Sequence, residues 1–97
     1  MHPRTGGRVI FELVSSDGRG ATYRALLYTP DRLWRGQATV GAGDGDIRFS
    51  GWDAPDPPGW LQGYADAFLR SEWKARVRNP AAPWSGQIAR WRAEPEE

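Results

Sequence analysis

The chain contains no cysteine, and that single absence removes disulfides, thiolate catalysis and cysteine-ligated metal together. Histidine is almost missing too. His2 stands alone in a polar leading segment expected to be loose, which argues against histidine-based catalysis. No window approaches eighteen apolar residues, and the opening MHPRTGG lacks the apolar stretch of a secretory signal. A cytoplasmic chain with no membrane partner is therefore expected. An excess of one charge sign is lacking as well. Thirteen basic residues against twelve acidic ones leave a net charge of +1, which argues against a generic polyanion binder.

Tryptophan and arginine are what the chain has in quantity. There are six tryptophans in 97 residues, and Lys74 is the one basic residue that is not arginine. Both types are enriched at binding hot spots. Large rings filling a small core, together with a compositional bias to arginine, account for the same counts without any binding role.

One stretch carries a helical period. Between Pro58 and Arg78, Leu61, Tyr64, Ala65, Phe68 and Ala75 recur at spacings of three and four, with Trp60 and Leu69 at the margins. Asp66, Arg70 and Lys74 line the opposite side. Pro57-Pro58 marks the start, because proline suits a first helical turn and pushes the residue before it out of helix; Asn79-Pro80 marks the end.

The preceding residues read as four strands. Arg8 to Ser15 carries Val9, Phe11 and Leu13 on one side, and Asp17-Gly18-Arg19-Gly20 turns it into Ala21 to Thr29. Setting Leu13 opposite Tyr23 brings Phe11 to Ala25, Val9 to Leu27 and, on the other face, Glu12 to Arg24. A slip of one residue destroys both matches. Thr29-Pro30-Asp31-Arg32 leads into Leu33 to Val40, where Leu27 meets Trp34, Ala25 meets Gly36 and Tyr23 meets Ala38. The GAGDGD loop leads into Ile47 to Trp52, so that Val40 meets Ile47, Ala38 meets Phe49, Gly36 meets Gly51 and Arg35 meets Trp52 on the reverse face. Phe11, Ala25, Gly36 and Gly51 then form one row, a floor on which Tyr64 or Phe68 of the helix can settle. Ser85 to Arg92 supplies a fifth strand beside the first.

These readings predict a single α+β domain over residues 1–97, ββββαβ in element order. Its antiparallel sheet has the order 5-1-2-3-4 and one long helix on one face. Residues 1–7 and 93–97 are expected to be flexible.

The chemistry-bearing motifs fall away on inspection. GAGDGD lacks the lysine, hydroxyl residue and following helix of a phosphate-binding loop, and Pro55 stands where a calcium-binding loop needs its last glutamate. Asp44, Asp46, Asp53 and Asp56 sit in turns or before the helix, where they have structural work. Glu72 lies within the apolar helix face and requires a partner, for which Arg76 is one turn away. No enzyme activity, cofactor or metal site is expected.

What remains is the face of the sheet turned away from the helix, with Ile10, Glu12, Val14, Thr22, Leu26, Leu33 and Gln37 among its residues. Arg24, Tyr28, Arg35, Arg48 and Trp52 on it are the candidate binding residues. Arginine interleaved with rings suits a protein interface, and so a module that self-associates through this face or through an edge strand. The same mixture suits a single-stranded nucleic acid as the alternative partner. Four strands followed by a helix is similar to the order in Whirly-like and PUR-like nucleic-acid modules, whose sequence motifs are absent here.

Overall fold

The computed structural model describes residues 2–95; Met1, Glu96 and Glu97, the outermost parts of the segments expected to be flexible, lie outside the described residues. The chain runs through β1 (Gly7–Asp17), β2 (Gly20–Tyr28), β3 (Leu33–Gly41), β4 (Ile47–Ser50), α1 (Gly59–Arg78) and β5 (Gln87–Arg92). One antiparallel sheet has the order β4-β3-β2-β1-β5, the α+β architecture and strand order expected from the sequence. No helix among the described residues is long and apolar enough to cross a membrane.

The hairpin registers follow from matching both faces at once. Phe11 pairs with Ala25, Val9 with Leu27 and Glu12 with Arg24, and the next hairpin pairs Leu27 with Trp34 and Ala25 with Gly36. Strand alternation then sends Val9, Phe11, Tyr23, Ala25, Leu27, Trp34 and Ala38 to the helix side, where all are buried. Asp17 fixes the first turn, its Oδ1 accepting from the N–H of Arg19 at 2.7 Å and of Gly20 at 3.3 Å. A register shift between Leu13 and Ser15 leaves Val14 outside the ladder and exposed.

Pro58 opens α1, its carbonyl accepting from the N–H groups of Leu61 and Gln62. Leu61, Ala65 and Leu69 are fully buried against the sheet, and each leucine contributes roughly 1.5 to 3 kcal/mol by leaving water. Leu69, expected at the margin, is thus at the centre of the buried stripe. Ala75, expected within it, is exposed. The last two turns face the loops instead: Trp73 Nε1 donates to the Ala42 carbonyl at 3.0 Å, and the Arg76 guanidinium lies 4.3 Å over the Trp84 ring.

The pairing expected past Ser50 does not form. β4 ends there, so Gly36 does not pair with Gly51, nor Arg35 with Trp52. The cause is Gly51, whose φ of 72° lies in the left-handed region and breaks the alternation of sides. Asp53 takes the place opposite Arg35, its N–H donating to the Arg35 carbonyl at 3.3 Å and its carboxylate accepting from the Arg35 N–H at 3.1 Å. Trp52 consequently swings to the helix side and covers Gly36, where a Cβ would collide with the indole ring. Trp52 stacks on Phe49 at 5.7 Å between centroids, Phe49 on Phe11 at 6.5 Å, and Phe11 meets Tyr23 edge-on at 6.0 Å. The trough over Ala25, Gly36 and Ala38 is filled by rings of the sheet itself. Tyr64 and Phe68 lie elsewhere, under the guanidinium of Arg92.

Candidate functional site

The reverse face is built by the alternate residues of the same registers. Arg8 stands between Trp91 and Tyr28, and Tyr28 beside Leu33; one step along the strands, Leu26 faces Arg35. Further on come Glu12, Arg24 and Gln37, then Thr22, Thr39 and Arg48. Four of the five candidate residues, Arg24, Tyr28, Arg35 and Arg48, therefore share this face. Trp52 does not, for the reason given by Gly51.

Charges on the face are largely matched in place. Arg24 approaches Glu12 at 3.7 Å, and Arg48 Nε donates to Asp46 at 2.7 Å. The Asp46 hydrogen bond and charge hold the Arg48 pKa above its ordinary value. Such exposed pairs add little to stability, yet each cancels its own charge as felt by a distant partner. Among the described residues no ion pair is recorded for Arg35, which is exposed.

The apolar end of the face is less open than its sequence implies. The leading segment, expected to be loose, folds onto it: the His2 ring meets Tyr28 edge-on at 5.2 Å with Nδ1 2.8 Å from the Thr29 carbonyl. Trp91 Nε1 donates to the Thr5 carbonyl at 2.8 Å. Ile10 is only 3% exposed, and Leu26, Tyr28 and Leu33 are half-buried. Trp91 is the large ring this face does present, 51% exposed.

Two clefts flank the face. A polar one of about 720 Å³ opens between the hairpin ends, among Ser15, Asp17, Arg19, Thr39, Asp44 and Arg48. Its carboxylates are engaged within their own loops, Asp17 as described, Asp44 by accepting from the Asp46 N–H at 2.9 Å, and Asp46 by Arg48. Among the described residues no group of His, Asp or Glu is arranged to hold a metal ion. The second cleft, about 340 Å³, lies between Pro3, Arg4, Thr5, Arg8 and Trp91.

Glu72 has a different partner from the one expected. Its Oε1 accepts from the Ser85 N–H at 2.8 Å, while Arg76 donates to the Ala82 carbonyl. Tyr23, from the sheet, donates its hydroxyl to the Ser85 carbonyl at 2.9 Å. Helix and sheet thus clasp the Ser85 backbone, one at its N–H and the other at its carbonyl, just before β5 begins.

Trp91 is the functional candidate that sequence reasoning missed. Its side of the sheet depends on the pairing of β5 with β1, which no turn connects. Compared with known proteins, the chain matches no family model, and no curated protein and no solved structure shows significant similarity to it.

Proposed function

We propose that this chain is a non-enzymatic interaction module that pairs with a second copy of itself through the reverse face of its sheet, in the cytoplasmic setting expected from the sequence. The observation that carries the reading is that charges of both signs are spread across that face. Glu12 lies on one flank and the Asp46–Arg48 pair on the other, with Arg24 and Arg35 between them. A two-fold axis running along the strands between β2 and β3 would carry β1 of one copy over β4 of the other, and so Glu12 toward Arg48. Arg35, exposed and without an ion pair among the described residues, is a ready contact at the centre.

Sedimentation of charge-reversal variants over a range of concentrations tests this. Glu12→Arg and Arg48→Glu should each shift the equilibrium toward monomer, and the double variant should restore the dimer. A wild-type monomer at high concentration, or single variants that associate unchanged, would sink the proposal.

Single-stranded nucleic acid is the second reading, favoured by the exposed Trp91 ring beside Arg4 and Arg8. It ranks lower because the net charge is only +1 and Trp52, expected as a stacking ring, faces the core.

A further inference from the structure

We infer that the cleft between the leading segment and β5 is a binding site for a planar aromatic base carrying a phosphate, either a free nucleotide or one unit of a single strand. The argument starts from how Trp91 is held. One edge of its indole is fixed, the Nε1–H on the Thr5 carbonyl at 2.8 Å and the adjoining Cζ2 against Gly6. Gly6 has a φ of 72°, which lets the backbone run this close to the ring. The donor of the indole is therefore already used, while half of its surface stays open. A ring held in that way recognises a partner through its π face, and it loses little freedom on doing so.

The rest of the cleft selects charge. Among the described residues it is lined by Pro3, Arg4, Thr5, Arg8 and Trp91, two of them cationic. Arg4 is exposed and lines the same cleft as Trp91; Arg8 sits directly across the ladder from Trp91. Guanidinium groups bind phosphate through paired N–H donors, and the Thr5 side chain adds a hydroxyl that can donate or accept at a base edge. A volume of about 340 Å³ lies within the range of small-ligand clefts, roughly 300 to 1,000 Å³. Stacking plus phosphate capture is the combination by which proteins hold unpaired bases. This site stands apart from the self-pairing proposal, since Trp91 and Arg4 lie at one end of the face and Glu12 and Arg48 further along it.

The test titrates the full chain at low salt with adenosine monophosphate, with inorganic phosphate and with a short mixed-sequence single strand, by calorimetry and by the indole N–H resonance of Trp91. Adenosine monophosphate should bind more tightly than phosphate, and Trp91→Ala should weaken it about 5- to 150-fold, the range for losing one stacked base. Trp91→Phe, which keeps a ring, should weaken it less and guards against a misfolded alanine variant. Arg4→Ala should weaken binding and flatten its salt dependence. A single strand held more tightly than the mononucleotide would identify a chain as the source, and equal affinities a free nucleotide. Equal affinity for phosphate and adenosine monophosphate, indifference to Trp91→Ala, or no binding of nucleotide and strand alike would each overturn the inference.

Discussion

Replacing Tyr23 with phenylalanine should change the alkaline limit of the fold. The Tyr23 ring is completely buried, and its hydroxyl donates to the Ser85 carbonyl. Burial, and then the Glu72 carboxylate, raise its pKa from 10.0 to about 12, with Arg76 opposing them. In the unfolded chain neither applies, and the phenol ionises near pH 10. Below that pH both states keep the proton, and the contribution of Tyr23 is fully present. Between about pH 10 and 12 the unfolded state gives up its proton first, so it binds fewer protons than the folded state and stability falls. At pH 11 those two pKa values amount to a loss of about 1.4 kcal/mol against neutral pH. Tyr23→Phe has no proton to lose. At neutral pH it should instead cost about 1 kcal/mol, because the Ser85 carbonyl loses its donor. The two proteins should therefore differ at pH 7 and converge or cross by about pH 11. Urea unfolding curves at both pH values measure this directly. Parallel loss of stability by wild type and variant would refute the reasoning.

The hairpins were legible because each register had to satisfy two faces. Glu12 opposite Arg24 and Val9 opposite Leu27 are consequences of one alignment, and the short Pro30-Asp31 turn carries that alignment into Trp34 and Ala38. Trp52 was not legible, because the alternation that placed it passes through Gly51. Glycine takes positive φ as readily as negative, so a period-2 count cannot be trusted across it. The same limit hid the role of the leading segment. Its hydrogen bonds end on the carbonyls of Thr5 and Thr29, acceptors that every residue type supplies and that leave no mark in composition. Glu72 illustrates a third case. An acid on an apolar helix face announces a need for a partner, but a backbone N–H thirteen residues on follows no spacing rule.

Three further perturbations separate packing from hydrogen bonding. Trp84 is buried with its Nε1–H unpaired, whereas that of Trp73 is bonded to Ala42, so Trp84→Phe should cost less than Trp73→Phe by about 1 kcal/mol in urea unfolding. Equal costs would show that Trp84 has a partner, such as a buried water. Glu72→Gln keeps an acceptor for the Ser85 N–H and should be nearly neutral, while Glu72→Ala should cost about 1 to 3 kcal/mol by thermal melt; equal melting temperatures would argue against the clasp. Gly36 and Gly51 act on the same ring by different routes. At Gly36 an added Cβ collides with Trp52, and overpacking of that kind costs about 1 to 3 kcal/mol. At Gly51 the space is open, but a φ of 72° costs an ordinary residue roughly 1 to 2 kcal/mol. Gly36→Ala should therefore expel Trp52 from its place beside Phe49 and move its fluorescence toward that of an exposed indole. Gly51→Ala should either retain Trp52 under strain or let the 51–53 segment relax toward an extended strand. Combining Gly36→Ala with Trp52→Ala distinguishes a local clash from a general loss of packing. If the clash is the cause, alanine at Gly36 should cost much less once the indole is gone, so the two effects should fall short of additivity by at least about 0.5 kcal/mol, the coupling expected of residues in contact. Strict additivity would mean that Gly36 is required by something other than the ring that covers it.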